Sequence, residues 1–439
     1  MTANSASRLP ARTFWAVVAV ALALRLIWIA LVDPQVGLVD DAGYYDFFAV
    51  SIKDGQGYVL PDGSPTAFWP VGYPGALAAL YTVFGHSLVA AKLLNALLGA
   101  ATAGLVYLLA RRWFGAWQAT AAGMIYAAFP GAIGFASLTM SETLFTFLFV
   151  AALYVVARAV ETDSHDILWA AAFAVIAAAT AYVRGQALAL PFFAAAWLLL
   201  AGWGWQRVLA YSGVALALMI GLSIPWLVRN TIVFGEPTFL STNFGINLWL
   251  GHNPAADGGF DYQQQLGFAG QFADLPAVER ELAWNREGLR QGVRYLLNHP
   301  IDEAGLSVKK IINLYRDDSD AIRWNEQNGG GLIFGSSERV ALRATFDSYF
   351  YVALTAGAAG LCIGLWRRQP WLGPVACTVA LWTLVHVVFF AEPRLHAPIL
   401  PFLAIAATVP LVELLRFAQS GSRAKPIAAA GAESPASRV

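Results

Sequence analysis

Charge is scarce in this chain. Lys, Arg, Asp and Glu make up 13% of its 439 residues, where soluble domains carry about 25%. Hydrophobic residues reach 58% and the mean hydropathy is +0.56. A soluble globule could not hide that much apolar surface, so an ordinary soluble domain is excluded. Neither sign of charge is in excess, with 28 basic and 28 acidic side chains. A basic nucleic-acid binder is therefore excluded on bulk electrostatics. Cysteine is nearly absent: Cys362 and Cys377 both fall inside apolar runs. They imply neither a disulfide framework nor a four-ligand zinc site. The six histidines are scattered, with no HxxxH or HxH pair.

What the chain has in abundance is apolar runs of spanning length. They lie at about 14–32, 88–110, 119–136, 142–160, 166–183, 187–203, 207–228, 349–366, 371–390 and 396–416. Each is near the ~20 residues that a bilayer core requires. The expected fold is an all-α polytopic membrane protein with about ten transmembrane helices. The first run lacks a small-residue cleavage site, so it reads as a retained anchor. Basic residues at 8, 12, 111, 112, 158, 207, 367, 368, 416, 423 and 425 fall on one side if the count is ten. Both termini are then expected in the cytoplasm.

That threading divides the chain into four parts. Residues 1–228 form an N-terminal transmembrane module of about seven helices, interrupted by a first external loop at 33–87. Residues 229–347 form an external segment that holds 26 charged residues. Residues 348–416 return to the membrane, and 417–439 read as a disordered cytoplasmic tail. Within the external segment, Pro276 opens an amphipathic helix with Val278, Leu282, Leu289, Val293 and Leu296 on one face, and Pro300 opens another. No internal repeat is visible, which weakens an inverted-repeat transporter.

Ionisable residues near hydrocarbon are costly, so each is a functional candidate. Asp40, Asp41, Glu142, Arg184, Arg229, Glu392 and Arg394 all fall at the outward ends of spans, while Arg25 and Lys92 lie deeper. A carboxylate at the membrane boundary can take the proton of an attacking hydroxyl, and a second can tune or position it. The same Asp40–Asp41 pair also fits a solvated acidic loop. Guanidinium groups grip phosphate in a bidentate way. Arg184 and Arg229 equally fit snorkelling at helix ends, and Arg394 has Glu392 as a local ion-pair partner. Lys92, one turn from Asn95, fits either a lipid phosphate or simple packing. Arg25 reads as a buried structural charge paired with an acid. His252, in LGHNP, and His396 fit loop hydrogen bonding or a substrate contact.

Several motifs taken together resemble the polytopic, lipid-dependent glycosyltransferases of the GT-C class. Asp40-Asp41-Ala42-Gly43-Tyr44-Tyr45 resembles the acidic pair of their first external loop. Pro70-Val71-Gly72-Tyr73-Pro74 is similar to their PPGYP element, with Val71 in place of a proline. Ser141-Glu142 resembles a recurrent SE pair. Arg229-Asn230, Asn243-Phe244-Gly245-Ile246-Asn247 and Gly251-His252-Asn253-Pro254 resemble their RN and G-x-N…GNNP loop. Glu392-Pro393-Arg394-Leu395-His396 is similar to their E-x-R-[YF] signature, with Leu395 replacing the aromatic. The likeness spans about residues 10–416 and is nearest to the bacterial aminoarabinose transferase and the protein O-mannosyltransferases.

The resemblance implies a GT-C-like fold with short amphipathic helices in its periplasmic loops. It implies a bacterial inner-membrane enzyme moving a sugar from a polyprenyl-phosphate donor at the periplasmic face. The acceptor would be lipid A or lipopolysaccharide, another lipid-linked glycan, or a protein. Carried over by motif, Asp40 is the base candidate, Asp41 its neighbour, and Glu142 shapes the acceptor or sugar site. Arg394, Arg229, Arg184 and Lys92 are the phosphate-binding candidates. Tyr44, Tyr45, Tyr73, Asn247, His252, Asn253, Glu392 and His396 are the substrate-binding candidates. Such enzymes resemble inverting single-displacement catalysts, which need one base, unlike two-carboxylate retaining glycosidases. Some relatives carry a divalent metal; no ligand set is visible here, so none is expected to be essential. The partners implied are the lipid donor, the bilayer and the acceptor, with no nucleic acid. Rival readings are a polyprenyl-glycan flippase or transporter, and an O-antigen ligase or polymerase.

Overall fold

A computed structural model describes residues 11–32, 40–162, 164–328 and 335–423, with side chains from 12 to 417. Its described residues are helical apart from short connections and one isolated β-bridge, Val59 to Pro65. The first half contains α1 (Ala11–Leu31), α2 (Asp41–Lys53), α3 (Gly72–Phe84), α4 (Leu88–Ala110), α5 (Ala116–Ala127), α6 (Pro130–Gly134), α7 (Glu142–Val160), α8 (Asp166–Val183), α9 (Leu190–Leu200) and α10 (Trp205–Phe234). A lateral series follows: α11 (Phe244–Gly251), α12 (Tyr262–Gly270), α13 (Ala277–Asn298), α14 (Pro300–Leu314) and α15 (Asp320–Asn328). The chain then returns through α16 (Ser336–Trp366), α17 (Leu372–Val388) and α18 (Leu400–Arg423).

This is a multi-pass membrane protein. Among the described residues, α1, α4, α7, α8, α10, α16 and α18 with its 3-10 lead-in from Pro393 are long and apolar enough to cross a bilayer. The expected ten spans thus resolve into seven full-length helices, one bent pair and two shorter apolar helices, Gly185–Leu200 and Leu372–Val388. Helices α10 and α16 also reach beyond residues 228 and 349, continuing to Phe234 and back to Ser336. Of the expected disordered tail, α18 covers 417–423, and residues 424–439 lie outside the described residues. Asp33 of the first loop also lies outside them.

Small residues let the helices approach closely. A Cβ on Gly360 of α16 would collide with the carbonyl of Ala406 on α18, and one on Gly357 would meet Leu403. Association of membrane helices relies on such close packing, because lipid offers no hydrophobic drive between them.

The bend between α5 and α6, 56°, has an identifiable cause. Pro130 opens α6 and cannot continue the α5 ladder. The hydrogen bond that Gly131 N–H would have made to Ala127 is replaced by two side chains. Gly131 N–H donates to Asp318 Oδ2 at 2.9 Å, and Arg25 Nη1 donates to Ala127 O at 3.2 Å. Arg25, expected to pair with an acid, instead grips the carbonyls of Ala21 and Ala127 beneath the ring of Tyr126. It neutralises an orphaned helix end rather than a carboxylate.

The two ends of the bundle differ. One end carries peripheral ion pairs: Arg112 with Glu161, Arg207 with Asp166 at 2.6 Å, and Arg367 with Glu413 at 2.7 Å. The other end gathers the start of α2, the start of α7, the end of α8 and the lead-in to α18.

Candidate active site

Helix polarity explains why charges sit where they do at this second end. Glu142 is the first residue of α7 and Arg184 caps the end of α8, each at the pole that favours its sign. Asp40 is the N-cap of α2: its Oδ1 accepts from Ala42 N–H at 3.1 Å and Gly43 N–H at 3.4 Å.

These ends converge on an alternating ion network. Arg394 Nε donates to Glu392 Oε2 at 3.0 Å, and its Nη1 donates to Asp41 Oδ2 at 3.0 Å. The same Nη1 lies 3.6 Å from Glu142 Oε1. That oxygen accepts from Arg184 Nη2 at 2.5 Å, while Arg184 Nε donates to Ser141 Oγ at 2.8 Å. The Glu142 side chain is 2% exposed and those of Arg394 and Arg184 are 11% and 15% exposed. At such burial each charge needs its partners. Five residues, four of them from three separate motifs and the fifth, Arg184, at the end of α8, therefore stand as one unit.

Aromatic residues floor the network. Trp69 Nε1 donates to Asp41 Oδ1 at 3.1 Å, and Tyr44 stacks on Trp69 with centroids 4.7 Å apart. Tyr45 meets Tyr73 edge to face at 5.3 Å, both buried. The PVGYP element is tightly seated: a Cβ on Gly72 would lie 2.5 Å from the Tyr182 carbonyl carbon. Only glycine allows α3 to start against the end of α8, two residues before Arg184.

Helix α15, which sequence reasoning passed over, supplies the other wall. Asn328 Nδ2 donates to Asp40 Oδ2 at 2.7 Å. Trp324 lies 4.7 Å under the Arg394 guanidinium, and Asp320 Oδ2 accepts from Arg394 N–H at 3.4 Å. Asn325 locks the helix by accepting from Ser137 Oγ at 2.6 Å and donating to Gly134 O at 3.1 Å. Asp320, Trp324 and Asn328 stand at i, i+4 and i+8, one helical face, which is the signal that could have found them.

Asp40 and Asp41 are held differently. Asp41 faces a cation, whereas Asp40 accepts from the Asn328 amide and from backbone N–H groups. Burial pushes the Asp40 carboxyl above the usual range, against the pull of Asn328 and Gly43 in the other direction. Glu142 Oε2, Trp324 Nε1 and Asn328 Oδ1 are buried with no hydrogen-bond partner. Such orphaned atoms facing a common site are open to a ligand. Between α8 and α10, a mostly apolar cavity of about 350 Å³ is bounded by Ala181, Leu188, Leu216, Met219, Ile220 and Phe239. Arg184 lies in the chain between Ala181 and Leu188 of its wall.

The remaining candidates stand elsewhere. Arg229 Nη1 donates to Thr66 O at 2.8 Å and Nη2 to Tyr58 O at 2.9 Å, over the ring of Trp226. It fastens α10 to the loop between α2 and α3. Glu281 of α13 holds the same loop, accepting from Thr66 Oγ1 at 2.7 Å, Ala67 N–H at 2.8 Å and Thr242 Oγ1 at 2.5 Å. Burial raises the Glu281 carboxyl in spite of these donors. His252 is buried between Glu303 and the Val388 carbonyl, and Asn253 closes the end of α11 by donating to Trp249 O at 3.0 Å. Asn247 is half-buried on α11. His396 is stacked on Phe350 and lies 3.0 Å from Asp318 Oδ1 and 2.9 Å from Leu314 O. It orients the turn that carries Arg394. Lys92 is buried in α4, one turn before Asn95, which donates to Leu138 O at 2.7 Å. Among the described residues, no group of three or more His, Cys, Asp or Glu could hold a metal ion.

Residues 69–228 match the family model of dolichyl-phosphate-mannose-protein mannosyltransferases. No curated protein matches the chain. Among solved structures, it is similar to the archaeal oligosaccharyltransferase AglB from Archaeoglobus fulgidus in complex with an inhibitory peptide and a dolichol-phosphate. That likeness has a TM-score of 0.53 and 15% identity, covering 96% of this chain and 53% of that one. The apo form of the Archaeoglobus fulgidus oligosaccharyltransferase gives a TM-score of 0.55 at 15% identity, covering 94% and 52%. ArnT from Cupriavidus metallidurans bound to undecaprenyl phosphate gives 0.47 at 17% identity, covering 94% and 80%. The chain spans about half the length of the oligosaccharyltransferases it matches. Family match and fold agree with the GT-C resemblance carried by the motifs.

Proposed function

We propose that this chain is a membrane glycosyltransferase that moves a sugar from a polyprenyl-phosphate donor to a hydroxyl of a cell-envelope acceptor. The observation that carries the reading is the convergence of Asp41, Glu142, Arg184 and Arg394 at one end of an apolar membrane bundle. A lipid phosphate sugar has the same two halves, a charged head and a hydrocarbon tail. The tail enters the apolar layer, where its burial is favourable. The phosphate meets Arg394 and Arg184, whose guanidinium groups stabilise the charge that grows as it leaves.

Asp40 is the base in this reading. The acceptor oxygen forms a bond to the anomeric carbon, and the carbon–oxygen bond to phosphate breaks with its electron pair going to the polyprenyl phosphate. The acceptor proton passes to Asp40. A base must be free to take that proton, and Asp41 is already held by Arg394 while Asp40 is not. Asp40's raised affinity for protons also favours transfer to it. Glu142 fixes Arg184 and presents a free oxygen to the sugar or acceptor. One displacement of this kind inverts the anomeric centre.

In this reading the site faces the periplasm from a bacterial inner membrane, with both termini in the cytoplasm. Its support is the basic residues at the opposite end of the bundle and the acidic first loop. The acceptor class comprises lipid A or lipopolysaccharide, another lipid-linked glycan, or protein. Purified protein in lipid vesicles, given radiolabelled polyprenyl-phosphate sugars and envelope acceptors, tests the reading. Release of polyprenyl phosphate with an inverted glycoside supports it; donor left intact with every acceptor opposes it.

A further inference from the structure

Helix α14 buries two of its four charges, Glu303 and Lys310, while Asp302 and Lys309 are exposed, and it turns most of its isoleucine and valine outward. Glu303 and Lys310 are buried, 6% and 0% exposed, and close on His252. His252 Nδ1 lies 2.8 Å from Glu303 Oε2, and its Nε2 lies 3.2 Å from Lys310 Nζ. On the other side Ile301, Val308, Ile311 and Ile312 are 86%, 56%, 41% and 59% exposed. Their spacing of i, i+7, i+10 and i+11 makes one helical stripe, with exposed Ala304 and Gly305 in the gap. Facing water, this arrangement is inverted, because burying charge is costly and exposing hydrocarbon forfeits its burial.

The stripe continues into α13, where Leu289, Val293, Leu296 and Leu297 are exposed. Arg286, Arg290 and Arg294 are exposed beside them. An apolar face rimmed by arginines is the pattern of a helix lying at a membrane interface.

Depth follows from the contacts with α17. Lys310 Nζ donates to Val387 O at 3.0 Å, and Tyr315 Oη is 2.7 Å from Thr383 Oγ1. From the Lys310 contact to the Tyr315 contact, the points touched on α17 step by four residues, about 6 Å along its axis. The direction is away from the site end and into the apolar layer. A face turned outward at that depth meets lipid.

We infer that α14 and the second half of α13 are seated in the bilayer leaflet on the side of the site, with acyl chains against the Ile301–Ile312 stripe and lipid phosphates against the α13 arginines. This goes beyond the proposed chemistry and holds whether or not the chain transfers a sugar. It gives Arg394 a fixed depth, because His396, two residues away, is tied to the Leu314 carbonyl at the end of α14. The external segment is then partly a membrane element.

Site-directed spin labelling of the full chain in phosphatidylcholine–phosphatidylglycerol vesicles tests the inference, in a Cys362→Ser/Cys377→Ser background. Labels at positions 308 and 312 are expected to collide more with oxygen than with a water-soluble nickel chelate, and a label at the exposed Gln263 position to show the reverse. Nickel-dominated collisions at 308 and 312 would overturn it. So would immobilised labels shielded from both reagents, which would mean a protein partner or a second copy covers the stripe. As a check free of substitutions, a lipid-tethered diazirine should modify the 300–314 peptide of the unaltered chain as it modifies the 351–366 peptide. A labelled 351–366 peptide beside an unlabelled 300–314 peptide would also overturn it.

Discussion

Arg394 and Asp41, 353 positions apart in the chain, meet at 3.0 Å. Because Arg394 also holds Glu392 and approaches Glu142, one guanidinium reaches three carboxylates, sharing Glu142 with Arg184. It belongs both to the fold and to the proposed phosphate site. Arg394→Ala is expected to cost about 3–5 kcal/mol, the usual penalty for breaking a buried pair from one side. Arg394→Lys keeps the charge but loses the fork, so sugar transfer should fall about 100-fold with little loss of folded protein. Thermal unfolding and transfer assays on both variants check this; an Arg394→Ala protein that melts like the parent contradicts it.

Asn328 donates to the oxygen of Asp40 that is not engaged by the helix cap. That bond holds the Asp40 carboxyl down, while burial pushes it up. A base works only when deprotonated, so activity should fall as pH drops through the Asp40 titration. Asn328→Ala removes the downward pull, which moves the acid limb of the rate profile to higher pH. A pH–rate profile of kcat/KM reads the shift, and an unmoved acid limb would separate Asn328 from the base.

The loop between α2 and α3 hangs on Arg229 and Glu281. Glu281→Ala leaves Thr66, Thr242 and the Ala67 N–H without their shared acceptor, a loss of about 3 kcal/mol for a buried charged hydrogen-bonding group. Arg229→Ala should speed proteolysis of residues 54–67 while leaving the donor KM unchanged. A raised donor KM with a protease-resistant loop would instead make Arg229 a phosphate ligand.

Gly72 abuts the backbone at Tyr182. Gly72→Ala is expected to displace α3 from α8 and lower stability by about 1–3 kcal/mol, the range for overpacking. The melting temperature of the purified variant checks this.

The sequence made the membrane architecture readable, because a bilayer demands long apolar runs and leaves charge only where it is used or paired. The same logic found Asp41, Glu142, Arg184, Glu392 and Arg394, which the fold brings together. It did not separate them from Arg229 or His252, because a charged residue at a helix end looks alike whether its partner is a substrate, a loop carbonyl or a buried acid. Helix α15 escaped notice for another reason. Its polar composition, DAIRWNEQN, reads as loop until Asp320, Trp324 and Asn328 are seen to share a face. Arg25 was misread because a carbonyl freed by a helix break attracts a cation as an acid does.

The most direct test of the account is sugar transfer by Asp40→Asn in vesicles supplied with labelled polyprenyl-phosphate sugar. The asparagine preserves the size of the side chain and can still cap α2, so folded protein should be normal and transfer lost by at least about 100-fold, the usual scale of a general base. Transfer at the parental rate by a normally folded Asp40→Asn protein would contradict the central claim.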